Sequence, residues 1–264
     1  MMGKFVHLQV KSHYSISSGL PRTNQIVDKA IENNMASVAL TDKNSFFGLV
    51  KFYNYAISKG IKPICGVDFD IKISENLYSN VVLLAKNKNG LENLFQLSTK
   101  AFTESAKGKI CLFESDIFTN LDNLVCIMPT SCDHLEYLAG KEDHTDLHIK
   151  LENYLSSFKD NIFFGASCFD SRGYSTTTNT LCSYAFKKGI PIVGLNDVLF
   201  LSKKDHLAHQ AKVSINNSTL LKDEINNPNV SSEQYFKTVE EMQLMHSNEI
   251  LNNTNEVAKS CNVF

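Results

Sequence analysis

Short apolar runs alternate along the chain with amphipathic stretches of helical spacing. The first run, residues 5–11, reads as a period-2 strand. Phe5, His7, Gln9 and Lys11 fall on one face, and Val6, Leu8 and Val10 on the other. Further strands are predicted near residues 37–40, 61–69, 81–85, 124–128, 162–166 and 191–194. The run 81–85 (VVLLA) is apolar at every position, as expected where both faces are covered. Between the strands, Ile26, Val27, Ala30 and Ile31 make the stripe of a helix capped by Thr23 and running to about Asn33. A second helix, 46–59, is closed by Gly60. Leu91, Leu94, Phe95, Ser98 and Phe102 mark a third. Stretches 133–139, 147–158, 180–188 and 248–261 complete the helical set. Seven strands of parallel type alternating with helices predict an α/β barrel.

In such folds, sites are built at the C-terminal ends of the strands. That directs attention to His7, Gln9 and Lys11, followed by Ser12 and His13. It also directs attention to Thr41-Asp42-Lys43 and Leu195-Asn196-Asp197 after later strands.

Composition narrows the function classes. The 264 residues carry 43% hydrophobic side chains, enough for a full core in one large α/β unit or two small ones. A net charge of −2 is a poor footprint for a stand-alone nucleic-acid binder. Seven scattered cysteines without a Cys-x-x-Cys read as buried free thiols in a reducing cytoplasm. The N-terminus lacks an apolar signal region, and no run reaches the length of a membrane span, so no membrane partner is expected. A P-loop, Gly-x-Gly-x-x-Gly and Gly-x-Ser-x-Gly are absent.

The frame Val6-His7-Leu8, Ser12, Tyr14-Ser15 and Gly19 resembles the first motif of the polymerase and histidinol phosphatase (PHP) domain. In particular it resembles the form at the N-terminus of bacterial replicative DNA polymerase III alpha subunits. Thr41-Asp42 with Gly48, Phe52 and Tyr53 resembles the second motif. Lys62-Pro63-Ile64 with Gly66 and Asp68-Phe69, Leu83–Asn87 with Gly90, Asn196-Asp197-Val198, and Tyr235 with Glu240-Glu241-Met242 resemble later ones. The likeness spans essentially the whole chain. It implies a distorted seven-stranded, TIM-like β/α barrel, a single domain over 1–264, and a place at the head of a much longer polymerase chain.

The same resemblance marks where metal ligands would stand. Those positions hold Gln9, Lys11, Ser18, Lys43, Asp68, Asn80, Asp197 and Leu199, and only Asp68 and Asp197 keep ligand chemistry. With His7 and Asp42 they define a vestigial cleft in which no metal and no catalytic residue is expected. Asp42, Asp68 and Asp197 would be uncompensated carboxylates. Lys11 and Lys43 are therefore expected to pair with them, the alternative being that both lysines point to solvent. His7 reads as a hydrogen-bonded scaffold residue. His206 with His209, and His144 with His148, have helical spacings better explained by packing and a solvated face.

The implied function is a catalytically inactive PHP scaffold that docks the proofreading 3′–5′ exonuclease subunit. Its other expected partner is the rest of the polymerase chain, which would use Mg2+ and alone meet DNA. The alternative is a residual metal-dependent phosphoesterase, pyrophosphatase or exonuclease. A free-standing histidinol-phosphate phosphatase would need the His-x-His pair.

Overall fold

The computed structural model describes residues 5–75, 77–104, 109–118, 121–141, 143, 145–168 and 175–263. Its strands are β1 (Ser37–Lys43), β2 (Lys62–Lys72), β3 (Tyr78–Ala85), β4 (Leu112–Phe113), β5 (Leu124–Pro129), β6 (Ile162–Ser167) and β7 (Ile192–Leu195). Its helices are α1 (Thr23–Glu32), α2 (Leu49–Ser58), α3 (Lys88–Thr103), α4 (Glu114–Ile117), α5 (Asp133–Ala139), α6 (Thr145–Phe158), α7 (Thr176–Lys188), α8 (His206–Asn217), α9 (Leu221–Asn226), α10 (Val239–Gln243) and α11 (Asn248–Ser260). Side-chain caps start several of them: Asn87 accepts from the Gly90 N–H at 3.1 Å, and Ser175 from the Thr178 N–H at 3.1 Å. Thr23 is not the cap expected of it. The cap is Arg22, whose N–H donates to the Gln25 side chain, and Thr23 is the first helical residue.

The seven strands form one curled sheet in the order β1-β2-β3-β5-β6-β7, with β4 against β2. The pairs β1–β2, β5–β6 and β6–β7 are parallel, but β3 runs antiparallel to both β2 and β5. This corrects the all-parallel expectation. Only residues 73–77 separate β2 from β3. A connection that short makes a hairpin, because a parallel crossover needs a dozen residues or more.

The first apolar run is not a regular strand. Residues 5–11 lie between β1 and the chain after β7 and bond to both. Lys11 N–H donates to Val198 O at 2.9 Å, and Val198 N–H to Gln9 O at 3.0 Å. On the other side Ala39 N–H donates to His7 O and Thr41 N–H to Val10 O. Three residues of the segment are thus spanned by two of β1, which is a bulge. It breaks the expected alternation. Phe5 and Val10 join the core on the helix-covered face, Val6 and Leu8 join the core inside the curl, and Gln9 and Lys11 line a cavity.

Two cores result. Val38, Leu40, Cys65, Val67, Phe69, Val81 and Leu83 pack with residues of α1, α2, α3, α6 and α7 on the outer face. Ala39, Ile64, Val82, Leu84, Ile127 and Val193 fill the inside, closed by Val257, Ala258 and Cys261 of the α11 region. The inside is tightly filled at Gly165, where a Cβ would meet Leu195 Cδ1 at 2.2 Å. All seven cysteines are free thiols, and all but Cys182 are buried. Burial pushes the Cys65 thiol up to about 12, out of the reactive range. Among the described residues, no helix is long and apolar enough to cross a membrane.

Candidate functional site

Period-2 geometry sets which side chains share the inside of the curl. On β2, Ile64 belongs to the inner core, so Gly66, Asp68 and Asp70 follow it on that face. On β1, Ala39 is inward, so Thr41 and Lys43 are too. On antiparallel β3, Asn80 leads Val82 and Leu84. Lys43 is opposite Asp68 in the β1–β2 register, and Asp70 is opposite Asn80 in the β2–β3 register. The bulge brings Gln9 and Lys11 to the same place, and Asp197 enters just after β7. Together with Tyr78, Ser79, Lys109, Ser131 and Cys132, they line a cavity of about 220 Å³.

Asp68 is the centre of this cavity and is fully buried. Its Oδ2 accepts from Lys11 Nζ at 3.0 Å and Gln9 Nε2 at 2.9 Å. Its Oδ1 accepts from Lys43 Nζ at 3.1 Å and Asn80 Nδ2 at 3.0 Å. Lys11 Nζ, on a side chain only 2% exposed, also donates to Asp197 Oδ1. Lys43 Nζ also donates to Asp70 Oδ1 at 2.8 Å. Gln234 Nε2 reaches Asp197 Oδ2 at 3.3 Å. Burial alone would push the Asp68 carboxyl up. The Lys11 and Lys43 ammonium groups and the two amide donors outweigh it and hold Asp68 well below the usual carboxylate range. Burial would likewise lower both lysines, but Asp197 and Asp68 hold Lys11 above its ordinary value, and Asp68 and Asp70 do the same for Lys43.

Asp42 is not part of this cluster, contrary to the sequence expectation. It follows Val38 and Leu40 on the outer face of β1, while Lys43 is inward. Asp42 instead ties down the loop after the first segment. Its Oδ1 accepts from Ser12 N–H at 2.7 Å and Ser15 Oγ at 2.6 Å, and its Oδ2 from Ser12 Oγ at 2.8 Å. Burial raises its pKa against those hydrogen bonds. Asp70 was missed by the motif comparison. Its signal was the spacing of two from Asp68 on an inward face.

The other expected residues scatter. His7 lies outside the cavity, packed between Phe5 and Phe236, and its Nε2 donates to Lys237 O at 2.9 Å. Burial drives its pKa down to about 4. Leu199 is buried, with its N–H on Gln234 O. Ser18 gives its carbonyl to His209 Nε2 at 2.6 Å, and its hydroxyl is buried without a partner among the described residues. His206 Nε2 donates to Val230 O at 2.9 Å. Both helix histidines are therefore backbone clamps. His148 stacks on Tyr184, and His144 lies outside the described residues.

The donor set does not fit a divalent metal. Two ammonium groups and two amide N–H groups occupy both oxygens of Asp68, and an ammonium bridges each neighbouring carboxylate to it. A metal there would face fixed cations within ion-pair distance, with no imidazole among the described lining residues to bind it. Among the described residues, no three His, Cys, Asp or Glu side chains converge as metal ligands.

The fold and the site together are a curled α/β sheet with a polar cluster at one end of its inner face. The chain belongs to the PHP domain family, whose pattern matches residues 7–165. It is 32% identical over 267 residues to the DNA polymerase III subunit alpha of Buchnera aphidicola subsp. Acyrthosiphon pisum, a match covering 99% of this chain and 23% of that protein. It is 31% identical over 268 residues to the same subunit of Escherichia coli (strain K12), covering 98% and 23%. The chain thus spans just under a quarter of the length of these relatives. Among solved structures, an amidohydrolase from Chromobacterium violaceum superposes with a TM-score of 0.50 at 11% identity, over 74% of this chain and 87% of that one, which shows the shared fold.

Proposed function

We propose that this chain is the amino-terminal PHP domain of a replicative DNA polymerase III alpha subunit in the cytoplasm, one that has exchanged metal chemistry for structure. It has no hydrolytic activity of its own. It supports the polymerase chain that follows it, and it docks the separate 3′–5′ proofreading exonuclease. Nucleotidyl transfer with Mg2+, and contact with DNA, belong to the rest of that chain. The observation that carries this reading is the position of Lys11 and Lys43. Their ammonium groups stand between Asp68, Asp70 and Asp197. The charge balance that a hydrolytic metal centre would supply is thereby met inside the polypeptide.

The purified chain, incubated with manganese and zinc and then desalted, tests the first half. The expected result is no stoichiometric metal and no turnover of a phosphodiester substrate in the same sample. Tight metal accompanied by turnover would replace this reading with a metal-dependent phosphoesterase. Gel filtration with the proofreading exonuclease tests the second half, with co-elution expected. Separate elution at micromolar concentrations would remove the docking role.

A further inference from the structure

A second polar site lies at the opposite end of the sheet from the Asp68 cluster. There Ser37 begins β1 and Lys62 begins β2, beside the last turns of α11. Val6, Ala36, Ser37, Lys62, Asn255, Ala258, Lys259 and Asn262 line a groove of about 320 Å³. Lys62 is the unusual group in it. Its partly buried ammonium donates to Ala258 O at 2.7 Å and to Asn262 Oδ1 at 2.8 Å, both neutral acceptors. Among the described residues no carboxylate pairs with it, and none lines the groove. Every buried or half-buried lysine of the Asp68 cluster, by contrast, has a carboxylate within ion-pair distance. Burial lowers the Lys62 pKa with no carboxylate to oppose it.

Donors left unspent surround that charge. An ammonium has three N–H groups, and Lys62 uses two. The Ser37 hydroxyl and the Asn255 amide have no hydrogen-bond partner among the described residues. Lys259 adds a second ammonium at the rim, already paired with Glu256 at 2.6 Å. The walls are apolar: Val6, Ala36 and Ala258, with the Lys62 stem.

We propose that this groove binds an aliphatic carboxylate, with the carboxylate on Lys62, Ser37 and Asn255 and the carbon chain along Val6, Ala36 and Ala258. One unpaired ammonium matches one negative charge, whereas a phosphate dianion would bring two. The small volume and apolar walls suit a short carbon chain. The carboxylate can come as a free short-chain acid or as the end of a peptide, and these share the same recognition chemistry.

Titration of the 264-residue chain with hexanoate, followed through the backbone amide NMR signals of Ser37, Lys62, Asn255 and Lys259, tests the assignment. Saturable shifts at those amides are expected, with a dissociation constant of about 1 mM. Hexanamide, which has the shape without the charge, should leave them in place. Lys62→Met keeps the stem and removes the charge, and binding should weaken by at least about tenfold. Lys222→Met, at an exposed lysine elsewhere, should bind as the parent does. If Lys62→Met fails to fold, Ser37→Ala together with the hexanamide comparison carries the same test. N-acetyl-alanyl-leucine as acid and as amide separates the two sources. Tighter binding of the acid than of hexanoate assigns a peptide end, and weaker binding a free acid. Shifts that are equal for hexanoate and hexanamide, that survive Lys62→Met, or that are exceeded by inorganic phosphate would overturn the proposal. So would the absence of any shift with either carboxylate.

Discussion

Asp68 accepts four hydrogen bonds on two oxygens, and two of them come from ammonium groups. Removing its charge leaves Lys11 buried against Asp197 alone and Lys43 against Asp70 alone. Asp68→Asn should therefore cost about 3–5 kcal/mol, read as a lower urea midpoint at unchanged slope. A loss below about 0.5 kcal/mol, the scale of an exposed substitution, would show that the cluster is not holding the fold. The pH response follows from the same buried groups. His7 and His246 are both pushed down to about 4 by burial. Between that value and the ordinary histidine value near 6.5, the unfolded chain binds protons that the folded one refuses. Stability should then fall as pH drops through this window, by about 1.4 kcal/mol per pH unit for each histidine. Asp68 acts lower still. Its folded value lies below its unfolded one, so its contribution is complete above about pH 4 and is lost progressively in stronger acid. Urea titrations at pH 7 and pH 5, on the parent and on His7→Gln, check the first window. The variant should lose less stability between the two pH values than the parent. At this scale the sequence was partly legible. Lys11, Lys43, Asp68 and Asp197 could be picked out by setting cation gain beside ligand loss. The parity that excludes Asp42 and admits Asp70 was also present in the spacing, but a motif read as a string hides which face each residue takes.

The bulge in residues 5–11 is the element that aims Gln9 and Lys11. It has no glycine or proline to announce it, so alternation alone predicted a plain strand. What fixes it is Thr41, whose Oγ1 accepts from Val10 N–H at 2.9 Å and donates to Val10 O at 3.3 Å. The hydroxyl stands in for the ladder bond that the extra residue displaces. Thr41→Val keeps the shape and leaves that buried N–H unpaired, which should cost about 1–3 kcal/mol. Hydrogen exchange at Val10 and Lys11 should quicken by more than the global loss accounts for. Exchange that tracks global unfolding alone would assign the bulge to some other restraint. The hairpin between β2 and β3 is the second element that the β–α rhythm concealed. Counting the five residues 73–77 would have revealed the antiparallel pair. The helices were easier, because an amphipathic stripe and a cap are local, whereas strand direction and bulges depend on what lies alongside.

For the molecule as a whole, the barrel frame was readable because its motifs occur in order along the entire chain. The inner filling was not. Gly165 has no room for a side chain, because Leu195 occupies the space that one would need. The groove at Lys62 was also invisible in the string, since Ser37, Lys62 and Asn255 meet only through the sheet ends and α11. Lys11 and Lys43 have one more implication. A cation supplied from solution has to be present, of the right kind and in sufficient amount, whenever a chain closes around its carboxylates. These two cations are covalently attached, one near the start of the chain and one on its first strand, and they are synthesised before Asp68, Asp70 and Asp197. The neutralising charge is therefore delivered in fixed stoichiometry and ahead of need, by the same polypeptide that carries the carboxylates.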